Sequence, residues 1–186
     1  MHDLSYLQHD PEPVGLRNYW AADVVMLVRE TSLYPTICGQ ANEPGYVTTP
    51  PPGPDFAPLA LGVTIRNCSF APYGFEHEFG HVLGANHNPE SDNNPSPLEP
   101  WAYAHWANHG PEDSARTIVA YQFDACHFQC PQVLNYSNAA VTLTKPWMFH
   151  TGILDQRENA RIIAETAHTT AQYRASLGRI FADGFE

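Results

Sequence analysis

The segment HEFGHVLGANH, residues 77 to 87, constrains this chain more than any other part of the sequence. On an α-helix, His77 and His81 would lie one turn apart and about 40° apart around the axis, so both imidazoles would project from one face. On a continued helix, His87 would lie about 15 Å further along the axis than His77 and about 280° around it. The helix must therefore end between His81 and His87 if the three side chains are to meet.

Gly84 stands where that break is needed, because glycine adopts the left-handed conformation at a helix end without the usual steric cost. Three neutral imidazoles suit Zn²⁺ and leave a coordination position open for water. Glu78, beside the first histidine, could take a proton from that water without being a ligand itself. The segment therefore predicts a zinc site with His77, His81 and His87 as ligands. Peptide hydrolysis by a metal-activated water, with Glu78 as general base, follows from it.

Composition excludes several other classes of function. The chain has 186 residues, enough for one domain with a sizeable core. Its formal net charge is -11 and Lys145 is its only lysine, so no basic stripe is available to bind nucleic acid. No apolar stretch approaches the length of a membrane helix. We expect a peptide or protein substrate, with no nucleic-acid or membrane partner, and the sequence does not indicate an oligomeric state.

The four cysteines, Cys38, Cys68, Cys126 and Cys130, permit two disulfides in three connectivities. Together with the single lysine and many prolines, they favour an oxidising compartment, so we expect a secreted or periplasmic protein. The quoted start, MHDLSYLQHD, lacks a basic leader and an apolar core, and no secretion signal is visible in it.

Hydrophobic patterns predict the main elements. Residues 14 to 20 could form a short helix, and the continuous apolar run Val24–Val28 predicts a strand buried on both faces. A second strand is expected over Leu61–Asn67. A long loop follows the histidines, and RTIVAYQ, residues 116 to 122, indicates a short strand or turn. The clearest helix spans Asp155 to Ser176, with Asp155 and Glu158 as a capping box at its start.

Residues 77 to 87 match H-E-x-x-H-x-x-G-x-x-H, and the chain therefore resembles the metzincin zinc peptidases. Further segments occur in the order seen in bacterial reprolysin-like metallopeptidases, so that the resemblance covers nearly all of residues 16 to 176. These segments are ADVVMLV, CGQA, TIRNCSFAPYGFEHEFGH, RTIVAYQ, CPQVLNYSN and NARIIAETAHTTAQYRAS. The eleven-residue signature is highly specific, whereas each flanking match is individually weak.

The resemblance implies an α+β fold, with a twisted, mostly parallel sheet packed against the active-site helix and with a C-terminal helix. We expect a single catalytic domain over residues 1–186, with an N-terminal subdomain (14–87), a C-terminal subdomain (88–176) and a tail (177–186). Family members normally open with a strand, a helix and a further strand, for which this chain has hardly any room. The N-terminal part of the usual sheet is therefore expected to be missing, leaving an unpaired strand edge.

The resemblance also assigns roles to residues. It makes His77, His81 and His87 the zinc ligands and Glu78 the catalytic base. It places residues Ile37 to Ala41 on an edge strand that could pair with an extended substrate. The family pattern suggests disulfides between Cys38 and Cys68 and between Cys126 and Cys130.

The chain departs from the family at the turn beneath the zinc. The family has a methionine there, whereas the matching position in RTIVAYQ is Val119, which would leave a smaller floor. Met148 is the alternative, in surroundings that fit the turn less well. Some metzincins carry a tyrosine near the zinc where this chain has Tyr121, which could stabilise the developing oxyanion as a further catalytic residue. The alternative for Tyr121 is an ordinary core tyrosine.

Two other functions stay open at this point. One is a zinc hydrolase of another amide or ester, because the motif specifies water activation more than substrate. The other is a catalytically impaired metzincin-like protein that binds zinc without cleaving peptides. Two further metal candidates are weaker: His105 with His109 lacks a third ligand nearby, and CHFQC, residues 126 to 130, is more readily explained by a disulfide.

Overall fold

The structure of the chain is a computed structural model. It describes residues 2–30, 37–44, 54–68, 72–91, 97–108, 114–121, 130–144 and 148–175. The predicted tail at 177–186 lies outside these ranges, as do His109, Cys126, His127 and the Cys126–Cys130 pairing.

Two helices come first. They are α1 (His2–His9) and α2 (Pro11–Trp20), and α2 includes the helix predicted over residues 14 to 20. Asp10 caps α2 by accepting a hydrogen bond from the backbone N–H of Glu12 at 3.0 Å, and Pro11 occupies the first turn, where its missing N–H costs nothing. The sequence analysis did not anticipate α1. Its Leu4 and Leu7 are buried against Leu61 and Val63 of the sheet.

Within the described residues, the main sheet has three strands, β1 (Val25–Arg29), β2 (Gly39–Ala41) and β3 (Leu61–Ile65), in the order β1-β3-β2. β1 runs parallel to β3, whereas β2 runs antiparallel to it. The described part of the sheet is therefore mixed, and the expectation of a mostly parallel sheet is corrected to one parallel and one antiparallel pairing. β2 is the edge strand expected from residues 37 to 41. The strand predicted over Leu61–Asn67 is confirmed as β3, which ends at Ile65 and lies between the other two strands.

β1 differs from the strand predicted over Val24–Val28. Val25 and Leu27 pack towards α1, and Val24 and Met26 pack into a separate cluster on the other face, so apolar contacts do exist on both sides. The strand nevertheless stays half-exposed, and Val28 is 53% exposed. Among the described residues no strand pairs with the outer edge of β1. An apolar run does not distinguish a central strand from such an edge strand, because both faces are apolar in either position.

Among the described residues after the histidines there are two small antiparallel strand pairs. They are formed by β4 (Trp106–Asn108) with β5 (Ser114–Arg116), and by β6 (Thr142–Leu143) with β7 (Phe149–His150), both antiparallel. A short 3₁₀ helix, Pro54–Leu59, precedes β3. With the helices, these elements give a mixed α+β architecture, which confirms the predicted class.

The last helix is shorter than predicted. The helix that carries His77 and His81, α3, spans Gly74–Val82, and the C-terminal helix α4 spans Asn159–Thr170 rather than residues 155 to 176. Asp155 has a positive φ of 56° and lies in the loop before the helix, whereas Glu158 is the N-cap residue. The Glu158 carboxylate does accept the backbone N–H of Asp155, at 2.8 Å. The predicted pair therefore interacts, but it closes the loop instead of starting the helix.

A disulfide joins Cys38, just before β2, to Cys68, after β3, which confirms the first predicted pairing. α3 packs on β2 and β3, the two strands whose ends the disulfide joins. Among the described residues, no helix is long and apolar enough to cross a bilayer.

Candidate metal centre

The backbone reverses at Gly84, as the motif predicts. α3 carries His77 and His81, and it is followed by Gly84 with a φ of 90°. The N–H of Gly84 donates to the carbonyl of His81 at 2.9 Å, and the N–H of Ala85 donates to the carbonyl of Gly80 at 2.9 Å. This is the Schellman arrangement, in which a left-handed residue lets the last helical carbonyls find donors. It turns the chain back so that His87 faces the helix.

The three imidazoles meet at one point. Nε2 of His87 lies 3.2 Å from Nε2 of His77 and 3.0 Å from Nε2 of His81. The ligand atoms of the three histidines all lie within 4.8 Å of one another. Among the described residues, no other group of three or more His, Cys, Asp or Glu side chains is placed to hold a metal ion. Nitrogens about 2.0 Å from a tetrahedral zinc ion would be roughly 3.3 Å apart. The observed separations therefore fit zinc.

Hydrogen bonds fix the outer nitrogens of two rings. Nδ1 of His77 lies 3.0 Å from the carbonyl of Ile118, and Nδ1 of His81 lies 2.8 Å from the carbonyl of Ala85. A carbonyl oxygen only accepts, so Nδ1 must carry the proton in each contact. When neutral, both rings then present the lone pair of Nε2 to the common centre, as metal ligands require.

The segment carrying His87 is held from α4. The side chain of Asn159, which is fully buried, accepts from the N–H of Asn86 at 3.1 Å and donates to the carbonyl of Asn86 at 2.8 Å. The side chain of Asn86 in turn accepts the backbone N–H of His87 at 2.8 Å. The third imidazole is thus placed by a helix more than seventy residues further along the chain.

Glu78 lies at the interface between α3 and β2. Its side chain is buried, at 6% exposure. A Cβ added to Gly39 would lie 2.5 Å from Oε1 of Glu78, so a glycine at this position of β2 is what lets the strand approach the carboxylate. Burial raises the pKa of Glu78 to about 7, with the nearby Glu43 acting in the same direction and His81 acting against it. A carboxyl group in that range can both accept and release a proton near neutral pH.

The three histidines differ in protonation. Burial lowers the pKa of His77 to about 3 and lowers that of His87 well below its usual value. Burial also acts to lower the pKa of His81, but the Glu43 carboxylate outweighs it and raises this pKa to about 9. In the metal-free protein at neutral pH, two rings are therefore neutral and ready to bind. The third must release a proton when a metal binds.

The turn beneath the histidines contains Val119. The N–H of Ala120 donates to the carbonyl of Thr117 at 3.0 Å, which closes the turn that RTIVAYQ predicted. Val119 is fully buried in a cluster with Ala85, Ala104, Ile118 and Ala120. Met148 is 69% exposed and does not belong to this cluster, so the alternative assignment of the turn position to Met148 is wrong.

Tyr121 lies against the third imidazole. Its ring is stacked on that of His87, with centroids 3.7 Å apart and an interplanar angle of 24°. The ring of His77 is 6.3 Å away. Tyr121 is 37% exposed, so the alternative of a core tyrosine is wrong. Its backbone N–H donates to the side chain of Asn88 at 2.9 Å, which ties the turn to the residue after His87.

Glu43 and Asn159 also contact the site, although the sequence did not predict either residue there. Oε1 of Glu43 lies 2.9 Å from Nδ1 of His81, although the two residues are far apart in sequence. No spacing rule connects either residue to the motif, and only the fold brings them to it. His105, considered earlier as a weak metal candidate, stacks on Phe149 with centroids 5.8 Å apart.

Comparison with known proteins gives relatives by sequence but no match to a family model. A protein from Stenotrophomonas maltophilia (strain R551-3) named peptidyl-Asp metalloendopeptidase is 32% identical over 161 residues, covering 85% of this chain and 33% of its own. Its namesake from Xanthomonas campestris pv. campestris is 31% identical over 158 residues, covering 85% and 32%. One from Pseudomonas fragi is 30% identical over 111 residues, covering 60% and 65%.

The chain is thus similar to bacterial metalloendopeptidases. It spans about a third of the length of the first two of these relatives. Among solved structures, a chain from a chaperone-substrate complex has a TM-score of 0.62 at 21% identity, covering 92% of this chain and 24% of that one. At that identity the likeness concerns the fold alone.

Proposed function

We propose that this chain is the catalytic domain of a zinc-dependent endopeptidase of the metzincin, reprolysin-like type. The observation that carries the proposal is the convergence of Nε2 of His77, His81 and His87 at separations of 3.0 and 3.2 Å from His87. The similarity to metalloendopeptidases supports the same activity. Residues 1–186 would form one catalytic domain, with an N-terminal subdomain (14–87) that ends at the third ligand and a C-terminal subdomain (88–176).

The three histidines would hold zinc, which supplies Lewis acidity at the scissile carbonyl. Glu78 takes the proton of the attacking water and passes it to the leaving amine. The hydroxyl of Tyr121, on a ring stacked against His87, would donate a hydrogen bond to the developing oxyanion.

We propose that β2 positions the substrate. Gly39–Ala41 pairs with β3 on one side, and among the described residues no strand pairs with its other side. An extended peptide added there would run beside Glu78, because Gly39 approaches that carboxylate closely. The names of the sequence relatives further suggest cleavage at aspartate, and we extend this substrate preference to the chain as part of the proposal.

We also propose that the protein works in an oxidising compartment, secreted or periplasmic. The Cys38–Cys68 disulfide supports this, because structural disulfides persist in such compartments and are rare in a reducing cytosol.

The experiment compares wild type with Glu78→Gln and with a matched control, Glu76→Gln, which changes a glutamate two residues earlier on the same helix. We expect about one zinc per chain in all three proteins, measured by metal analysis after dialysis. Glu78→Gln should lower kcat for an aspartate-containing peptide about 10²- to 10⁴-fold, because it removes the general base. Glu76→Gln should retain cleavage.

The remaining outcomes separate the alternatives. Zinc in the wild type without cleavage of any peptide would favour the impaired, zinc-binding protein. Cleavage of small esters or amides but not of peptides would favour a different hydrolase. A substrate pair differing only in Asp against Asn tests the aspartate preference, which equal kcat/KM for the two peptides would refute.

A further inference from the structure

Glu43 lies against the outer side of a candidate zinc ligand. Its Oε1 is 2.9 Å from Nδ1 of His81, the nitrogen that faces away from the centre where the three Nε2 atoms meet. The carbonyl of Ala85 is 2.8 Å from the same Nδ1. One N–H is therefore offered to two acceptors, a neutral carbonyl and a carboxylate.

The backbone around Glu43 is held in place. The N–H of Asn42 donates to the carbonyl of Leu61 at 3.1 Å, and its side chain donates to the carbonyl of Leu59 at 2.9 Å. Pro44, on the other side, is fully buried. The carboxylate thus projects from a fixed segment at the end of β2, and it does not reach His81 from a freely moving loop.

Burial makes this contact consequential. The side chains of His81 and Glu43 are 4% and 14% exposed. A carboxylate with so little access to water is costly unless a hydrogen-bond donor or a positive charge compensates it. Nδ1–H of His81 is such a donor, and the hydrogen bond to an ionised acceptor is stronger than one to a carbonyl alone.

Glu43 is not placed to take part in the proposed reaction directly. It contacts the nitrogen on the far side of the ring from the metal centre, whereas Glu78 follows His77 directly on α3 and occupies the position of the general base. A carboxylate on the outer nitrogen of a metal-binding histidine fixes the orientation and tautomer of the ring and makes the ligand nitrogen more basic.

We propose that Glu43 is a positioning residue for the metal centre. It shares the Nδ1 proton of His81 with the Ala85 carbonyl, and so holds the ring with Nε2 directed at the metal. This inference rests on the proposed function in that it takes His81 to be a zinc ligand. It adds a residue that neither the motif nor the resemblance indicates.

The test measures zinc affinity by competition with a chromophoric chelator, using zinc alone as the probe. We expect Glu43→Ala to raise the zinc dissociation constant about 10- to 100-fold. Glu43→Gln should have a smaller effect, because its amide oxygen can still accept from Nδ1–H although the charge is lost. Glu76→Gln, which removes one carboxylate from α3 beside His77, controls for the general loss of negative charge.

A second measurement follows the contact itself. In wild type the proton on Nδ1 of His81 should give a downfield NMR resonance, in both the metal-free and the zinc-loaded protein. It should move upfield in Glu43→Ala, where only the carbonyl of Ala85 remains as acceptor, and stay in place in Glu76→Gln. Urea unfolding of the same variants shows whether any loss of affinity merely reflects a less stable fold.

The outcomes separate this inference from the proposed function. The positioning role would be overturned if both Glu43 variants had zinc dissociation constants within twofold of that of Glu76→Gln, whatever the peptidase activity. An unchanged Nδ1–H resonance in Glu43→Ala would do the same. A wild type that binds zinc, responds to Glu43 as expected and cleaves nothing would overturn only the proposed function. Absence of zinc binding in the wild type would overturn both.

Discussion

Tyr121, which stacks on His87, can contribute to the site in two ways, through its ring and through its hydroxyl. The ring, with its centroid 3.7 Å from that of the imidazole, limits how His87 can turn. The hydroxyl is an additional hydrogen-bond donor on a side chain that is 37% exposed. In the proposed mechanism the ring would support metal binding, whereas the hydroxyl would act on the transition state alone.

Tyr121→Phe should lower kcat about 10²-fold while leaving the zinc dissociation constant unchanged, because it removes an oxyanion donor and keeps the aromatic ring. Steady-state kinetics with a zinc titration measures both quantities. Tyr121→Leu, which also removes the stacking, should weaken zinc binding as well. Full activity in Tyr121→Phe would show that the hydroxyl has no part in catalysis.

The sequence predicts the site residues whose positions depend only on their spacing along one short segment. His77, His81, Gly84 and His87 fall into place because helix periodicity and a left-handed glycine determine where their side chains go. Glu43 could not be found in this way, since its contact with His81 arises only when β2 packs beside α3.

The reversal of the chain after α3 depends on the backbone conformation of Gly84. Gly84 has a φ of 90°, which L side chains rarely adopt, and a Cβ there would lie 2.4 Å from Cδ1 of Leu98. Gly15 is the natural comparison, because it lies inside α2 and a Cβ there would meet nothing within 4 Å.

Gly84→Ala should lower the free energy of unfolding by about 1–2 kcal/mol for the backbone conformation alone, with a further loss from the contact with Leu98. Gly15→Ala should instead raise it by about 0.5–1 kcal/mol, because alanine is the better helix former. Urea unfolding of both variants measures the difference. Equal effects of the same sign would mean that the reversal is not under conformational constraint.

Element boundaries were less predictable than this reversal. The capping pair Asp155 and Glu158 does interact, but Asp155 adopts a positive φ and the helix starts only at Asn159. The sequence pattern predicted that these two residues interact, but it did not predict at which residue the helix begins. β1 has the composition of a central strand, and its position at the edge depends on which other strands are present to pair with it.

At the scale of the whole molecule, Glu90 links parts that are distant in sequence. Its carboxylate accepts from Arg157 at 2.6 and 3.1 Å, just before α4, and from the indole of Trp106 at 3.3 Å, on β4. Partial burial acts to raise the pKa of Glu90, but the hydrogen bonds and charge of Arg157, with a smaller contribution from Trp106, lower it to about 2.

Because the folded-state pKa is depressed, Glu90 contributes stability above its ordinary value of 4.5, and this contribution is lost as the pH falls towards 2. We therefore expect Glu90→Gln to be destabilised at pH 6 and to lose less of its free energy of unfolding than wild type between pH 6 and pH 2.5. Urea unfolding at the two pH values measures this.

Glu30→Gln is the control for this prediction. It breaks an ion pair with Arg66 whose two side chains are 64% and 66% exposed, so it should change stability little at either pH. Parallel pH dependence for wild type and Glu90→Gln would show that the Glu90 network does not contribute to acid sensitivity.

The Cys38–Cys68 disulfide fastens the start of β2, a strand of three residues that brings Gly39 up to Glu78. Three register pairs join this strand to β3, and the disulfide adds a covalent link at its start. If β2 binds an extended peptide as we propose, thiol reductants should weaken peptide binding while the hydrophobic clusters stay packed.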